Sequence, residues 1–296
     1  MSSAASYDLD AITAPAAEVE RYLATFIAAR PFPANLTDAI EYAAMGPGKR
    51  LRPVLAVRAC EAVGGEPDAA FPPAAAIELI HCFSLVHDDL PAMDDDDLRR
   101  GRPTLHKKTN DAMAILAGDA MNTLAFELLA TNVSDAELAV RLVGELSIAT
   151  NDMIAGQVYD TLPAFDESLA PIDRLKLIHR HKTGALIRCA CRMGALAAGA
   201  SDDELNAMTT YAEAVGLMFQ VVDDLLDVTA STEDLGKTAG KDVEQGKLTY
   251  PALLGLDATR DVVEKLRQDA IDALGSFDHR AQPLRDLCEY MAVRKR

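Results

Sequence analysis

Apolar residues recur along most of this chain at spacings of three and four, the period that puts them on one face of an α-helix. The pattern predicts helices at about 16–29, 36–44 and 54–63, and another from Pro73 to near Leu90, where Pro91 stops it. Further helices are predicted at about 110–131, 135–160, 172–199, 201–228, 249–256, 259–274 and 281–292. Arg30-Pro31-Phe32-Pro33, Gly46-Pro47-Gly48 and Gly64-Gly65 punctuate the first three. Ser134 with Glu137 and Ser201 with Glu204 have the spacing of capping boxes. Gly184, after Lys182-Thr183, predicts a bend within 172–199. Residues 1–14 read as a loose leader, and 161–171 and 229–247 as loops. No segment sustains strand alternation, so the expected fold class is all-α, one large helical bundle forming a single domain over 1–296.

Two stretches break the ordinary amphipathic pattern. His81 to Lys108 holds six aspartates, Asp88, Asp89 and Asp94 to Asp97, followed by Arg99, Arg100, Arg102, Lys107 and Lys108. Clustered carboxylates repel unless a cation sits among them, and Mg2+ takes one or two carboxylates together with substrate phosphates. Basic residues next to such a cluster would grip the same phosphates. The second stretch is Phe219 to Val228, FQVVDDLLDV, where Asp223 and Asp227 are four apart and share a helix face. Its other positions are apolar almost all round, which marks a buried helix, and buried carboxylates are costly unless paired or bound to metal. The two stretches read as two walls of one metal-lined pocket. Asp119, inside an apolar run, reads as a buried carboxylate satisfied by hydrogen bonds.

Composition narrows the function classes. A formal charge of −17 disfavours a nucleic-acid partner and docking on anionic membranes. No run of 18 apolar residues predicts a membrane span, and the N-terminus lacks the basic and apolar regions of a secretory signal. Cys60, Cys82, Cys189, Cys191 and Cys288 are scattered without a C-x-x-C, so buried thiols in a cytoplasmic protein are expected.

Taken in order, GPGKRLRP, HDDLPAMDDDDLRRGRPT, AGDA, HKTG, FQVVDDLLD, GKTAGKD and GKLTYPALLG make the chain resemble the trans-polyprenyl diphosphate synthases, closest to bacterial farnesyl diphosphate synthases. The resemblance spans nearly the whole chain. It implies a helical homodimer with a deep central cavity that joins isopentenyl diphosphate to dimethylallyl or geranyl diphosphate, using Mg2+, three ions once the allylic diphosphate is bound. Carried over by position, Asp88, Asp94, Asp223 and Asp227 hold metal. Gly48, Lys49, Arg52, His81 and Arg100 hold isopentenyl diphosphate; Arg99, Lys182 and Lys237 hold the allylic diphosphate; Thr183 and Gln220 sit beside the reacting carbons. Asp88 and Asp94 lie about 120° apart on an ideal helix, whereas Asp95 would share the face of Asp88. Periodicity thus favours Asp95 and the resemblance favours Asp94.

The chemistry asks for these residue types. An allylic C–O bond must ionise, and metal ions with cationic side chains stabilise the departing oxygens. Isopentenyl diphosphate has no leaving group to expel, so basic side chains alone can hold it. The resemblance also assigns product length to Phe83 and Ser84, five and four positions before Asp88, roughly 6–8 Å deeper along the helix. A phenylalanine there predicts a fifteen-carbon product, (2E,6E)-farnesyl diphosphate. The alternatives are a geranylgeranyl diphosphate synthase, a terpene cyclase and a non-catalytic partner subunit. The Lys49/Arg52 pair and an aromatic content of 5% without Trp argue against a cyclase, which needs aromatic faces for its cations. Two intact aspartate motifs argue against the partner subunit.

Overall fold

A computed structural model describes residues 7–162, 165–229 and 248–294. The described chain is almost entirely helical, as expected. In order come α1 (Leu9–Thr13), α2 (Pro15–Ala28), α3 (Ala34–Ala44), α4 (Leu51–Val63), a 3-10 turn (Pro67–Ala70) and α5 (Phe71–Asp88). They are followed by α6 (Leu105–Lys108), α7 (Asp111–Asn132), α8 (Ala136–Thr161), α9 (Pro171–His179), a π-turn (Arg180–Gly184) and α10 (Ala185–Ala197). Next come α11 (Asp202–Thr229), α12 (Tyr250–Leu254), α13 (Leu256–Ala273), a 3-10 turn (His279–Ala281) and α14 (Gln282–Val293).

The chain divides into two compact units. The first comprises Thr13–Ile148 and Cys189–Ala200; the second comprises Met1–Ile12, Ala149–Arg188 and Ser201–Arg296, as far as these are described. In the first unit α5 is the central element, buried from Pro72 through Ile80 and packed against α2, α3, α4 and α7. Its contact with α7 is close because Gly118 has no side chain: a β-carbon there would collide with the His87 ring, whose Nε2 lies 3.1 Å from the Ile115 carbonyl. Gly194 of α10 plays the same part against α4, where a β-carbon would run into the Ala56 carbonyl oxygen. Gly194→Ala is therefore expected to destabilise the fold by about 3 kcal/mol through overpacking, read as a lower urea midpoint. In the second unit α11 packs against α13, α14 and the π-turn.

Several local expectations are revised. Leu98–Arg99 and Arg102–Pro103 form a two-stranded antiparallel hairpin, too short to leave a periodic signal. The start of α8 is held by Asp135, whose Oδ1 accepts from the N–H groups of Glu137 (2.9 Å) and Leu138 (3.1 Å), in place of a Ser134–Glu137 box. The Ser201–Glu204 box does form, with Ser201 N–H donating to Glu204 at 2.9 Å. Gly255, at φ 83°, splits the helix expected at 249–256 from the next one. Part of the expected leader, Leu9–Thr13, is helical and buries Ile12. Asp119 is exposed, not buried. Pro67–Asp88 and Asp111–Asn132 are apolar enough to cross a membrane by length and composition alone, a test that apolar core helices also pass; the first is mostly buried inside the protein. All five cysteines are free and buried. The expected loop at 229–247 lies, beyond Thr229, outside the described residues.

Candidate active site

The first unit gathers the first aspartate run with Arg50, Arg52, Arg99, Arg100 and Arg102. Helix α5 stops at Asp88, and Pro91 forces the chain round: Met93 N–H bonds the Leu90 carbonyl at 2.8 Å, and Asp94 N–H bonds the Asp88 carbonyl at 2.9 Å. The turn thus returns Asp94 to the end of the helix beside Asp88. Asp95 takes a left-handed conformation, φ 49°, and its carboxylate lies 3.9 Å from Lys107. Asp97 pairs with Lys107 at 2.9 Å. Asp89 is buried and accepts from Arg99 Nε at 2.9 Å; burial nonetheless pushes its carboxyl upward. Thr104 Oγ1 donates to the Asp96 carbonyl at 2.8 Å and so ties the aspartate loop to the hairpin.

The hairpin presents Arg99 and Arg100 through a turn in which Arg100 (φ 53°) and Gly101 (φ 74°) are both left-handed. Arg100 Nη1 donates to the Pro47 carbonyl at 2.7 Å, and a β-carbon on Gly48 would collide with that same nitrogen. Gly48 is thus the position that lets the hairpin arginine reach the Gly46-Pro47-Gly48 turn. Tyr42 of α3 holds the hairpin from the other side, donating to the Pro103 carbonyl at 2.8 Å with Arg102 stacked 4.0 Å over its ring. Lys49 is exposed at the tip of the loop.

Arg52 and His81 lie with Arg50, Arg100 and the buried Glu78. The Nε of Arg52 is buried without a hydrogen-bond partner among the described residues, and burial draws the guanidinium below its ordinary range. Burial first, then the charges of Arg52, Arg100, Arg50 and Arg99, holds the His81 imidazole well below 6.5. The unfolded chain therefore takes up a proton that the folded chain refuses. The stability contributed by neutral His81 is complete above about pH 6.5 and is lost as pH falls below it. His81→Gln is expected to flatten the acid side of the Tm–pH profile below about pH 6.5 and to leave the profile above it parallel.

The second unit carries the second aspartate motif on α11. Asp227 is buried, and its Oδ2 has no hydrogen-bond partner among the described residues. Asp223 receives Arg294 Nη2 at 2.6 Å, while the Arg294 guanidinium sits 4.3 Å over the Phe219 ring. Gln220 Nε2 lies 3.5 Å from Asp223. Asp224 faces inward, accepting from Tyr250 N–H at 2.9 Å, with His179 Nε2 at 3.4 Å. The bend expected at Lys182-Thr183-Gly184 is the π-turn, and Lys182 Nζ donates to Asp160 at 2.6 Å. Gly156 makes room for it: a β-carbon there would collide with the Lys182 backbone nitrogen. Lys237 lies outside the described residues.

The polyprenyl synthetase pattern matches residues 33–279, most of the chain. The chain belongs to the polyprenyl synthetase family. It is a trans-prenyltransferase of the isoprenoid synthase fold. It is 49% identical over 269 residues to geranylgeranyl pyrophosphate synthase 7, chloroplastic, of Arabidopsis thaliana, an alignment covering 89% of this chain and 77% of that protein. An FPP/GFPP synthase from Zymomonas mobilis superposes with a TM-score of 0.83 at 34% identity, covering 96% of this chain and 97% of that one. Geranylgeranyl pyrophosphate synthetase from Pyrococcus horikoshii gives 0.86 at 29% identity, covering 97% and 98%.

Polyprenyl synthetases depend on Mg2+, and the donors here fit that ion. Among the described residues no three His, Cys, Asp or Glu side chains form a ready-made cage. What they offer is separate carboxylates, including the partnerless buried oxygen of Asp227. That suits an ion which retains water and bridges to phosphate. The residues that sequence reasoning missed are the supporting ones. Glu78 was visible as a lone acid in the apolar run FPPAAAIELIHCF. Tyr42, Asp160, Asp224 and His179 act through contacts distant in sequence and left no local mark.

Proposed function

We propose that this trans-prenyltransferase adds isopentenyl diphosphate to an allylic diphosphate and continues to the twenty-carbon geranylgeranyl diphosphate. The observation that carries the condensation reading is the buried, partnerless Nε of Arg52, set among Arg100, Arg50 and His81 with Glu78 as the acid facing them. A cluster so positively charged, with a buried donor left unmatched, calls for an anion, and the diphosphate of isopentenyl diphosphate supplies it. Gly48, Lys49, Arg52, His81 and Arg100 hold that substrate. Arg99, Lys182 and Lys237 take the allylic diphosphate, and Thr183 and Gln220 border the reacting carbons. Asp88 and Asp94 would hold Mg2+, as would Asp223 and Asp227, with three ions in all. Bound there, Mg2+ neutralises charge on the departing diphosphate. The cationic side chains orient both diphosphates, and the new carbocation loses its proton to the diphosphate released.

The twenty-carbon product rests on the relatives, which are named geranylgeranyl pyrophosphate synthases at 49% identity in Arabidopsis thaliana and 44% in Catharanthus roseus. One observation keeps the expected farnesyl product as a second reading. Phe83 is buried five residues before Asp88, with its ring edge-on to His87 at 5.4 Å. Ser84, one residue on, turns its hydroxyl back to the His81 carbonyl at 2.9 Å. Incubation with labelled isopentenyl diphosphate, Mg2+ and dimethylallyl, geranyl or farnesyl diphosphate tests both. Mainly twenty-carbon diphosphate is expected. Mainly fifteen-carbon diphosphate gives the farnesyl reading, and no condensation from any starter overturns both. Phe83→Ala is expected to lengthen the product by at least one five-carbon unit; an unchanged distribution removes Phe83 from length control.

We further propose that the whole chain works as one catalytic domain and pairs with a second copy. Ile115 and Leu116 on α7 and Ile148 on α8 are exposed apolar side chains that such a copy would cover. Light scattering at twice the monomer mass supports the dimer. The cytoplasm is the proposed location; the plant relatives are named chloroplastic, and cell fractionation decides between the two compartments.

A further inference from the structure

Among the described residues, three that are not glycine adopt a left-handed backbone: Arg50, Asp95 and Arg100. All three lie in the loops of the first unit's site. A long side chain at φ 48° costs on the order of 1 kcal/mol and persists only where its surroundings fix it. At Arg50 they do. Its Nε donates to Glu20 at 2.6 Å, Nη1 to Glu78 at 3.2 Å, and Nη2 to the carbonyls of Ala44 at 3.1 Å and Gly46 at 2.7 Å. Arg50 therefore spends its donors on protein, whereas Arg52, two residues on, keeps Nε without one.

We infer that Arg50, paired with Glu78 inside the first unit, is a positioning residue that sets the Gly46-Pro47-Gly48-Lys49 loop for the homoallylic diphosphate. The inference rests on the diphosphate reading of the Arg52 cluster and deepens it. Both partners are nearly inaccessible, at 3% and 4% side-chain exposure. A pair buried that far adds little stability over an apolar substitute, because desolvation offsets the attraction. What it supplies is geometry. Arg50 and Arg100 together hold the carbonyls of residues 44, 46 and 47. Three oxygens that would repel a diphosphate are thereby turned onto guanidinium groups. Gly48 rests directly on this base, since its β-carbon would meet Nη1 of both arginines. A lysine keeps the charge of Arg50 but lacks the planar fork that reaches acids and carbonyls at once.

The test uses the full-length enzyme with saturating Mg2+ and the variants Arg50→Lys and Glu78→Gln. Each is expected to raise KM for isopentenyl diphosphate about tenfold, with KM for the allylic substrate within about twofold and kcat within about threefold. The double variant is expected to be little worse than either single one, because both disrupt one pair. Equal rises in both KM values, or a lower Tm with KM for isopentenyl diphosphate unchanged, would overturn the inference. Calorimetric titration with inorganic pyrophosphate separates it from the functional reading. If the unaltered chain does not condense substrates, that reading fails, while about tenfold weaker pyrophosphate binding by Arg50→Lys still supports the positioning role. Equal pyrophosphate binding counts against it. Should Arg50→Lys fail to fold, the isosteric Glu78→Gln is judged by the same criteria.

Discussion

Asp88→Ala is expected to lower the condensation rate about a thousandfold, the scale of losing a group that stabilises charge on a leaving oxygen. Asp94→Ala should fall as far, and Asp95→Ala no more than about fivefold, since an exposed carboxylate near a lysine contributes little. The physical reason is the turn after α5. Asp94 N–H on the Asp88 carbonyl at 2.9 Å brings residue 94 back to the helix end, while the Asp95 carboxylate lies 3.9 Å from Lys107. The measurement is kcat with geranyl diphosphate over a range of Mg2+ concentrations. Asp88 and Asp94 variants should also need more Mg2+ for half-maximal rate. If Asp95→Ala falls as far as Asp94→Ala, the assignment to Asp94 is wrong.

Arg52→Met is expected to reduce kcat/KM for isopentenyl diphosphate about a hundredfold, within the range for truncating a buried charge that meets a charged partner. Stability should move the other way. The Nε of Arg52 is buried without a partner and burial already disfavours its charge, so methionine removes a cost of about 1–3 kcal/mol. Tm should therefore hold or rise while activity falls. Such opposition marks a group kept for binding at the expense of the fold. Parallel loss of activity and Tm would make Arg52 a structural residue and remove the main support for the isopentenyl diphosphate site.

The sequence by itself determined the helices and the two aspartate-bearing segments. Apolar spacing reports how each helix divides between core and solvent, and that division is local to the segment. It also determined that α5 would stop near Pro91, because proline's missing N–H acts on the backbone around it whatever the rest of the fold does. Only the tertiary structure shows the path of the chain past Asp88, because a broken helix no longer obeys 100° per residue and the closing hydrogen bond from Asp94 N–H to the Asp88 carbonyl sets the new geometry. Only the tertiary structure gives a physical difference between Arg50 and Arg52. In sequence both are arginines of one KRLR run; in space Glu20, Glu78 and two carbonyls satisfy the first and leave the Nε of the second without a partner. Asp223 and Asp224, neighbours on one helix, also part only in space: the first pairs with Arg294, and the second turns inward to Tyr250 and His179. The partners of Asp224 lie 26 and 45 residues away, and no local pattern encodes those contacts.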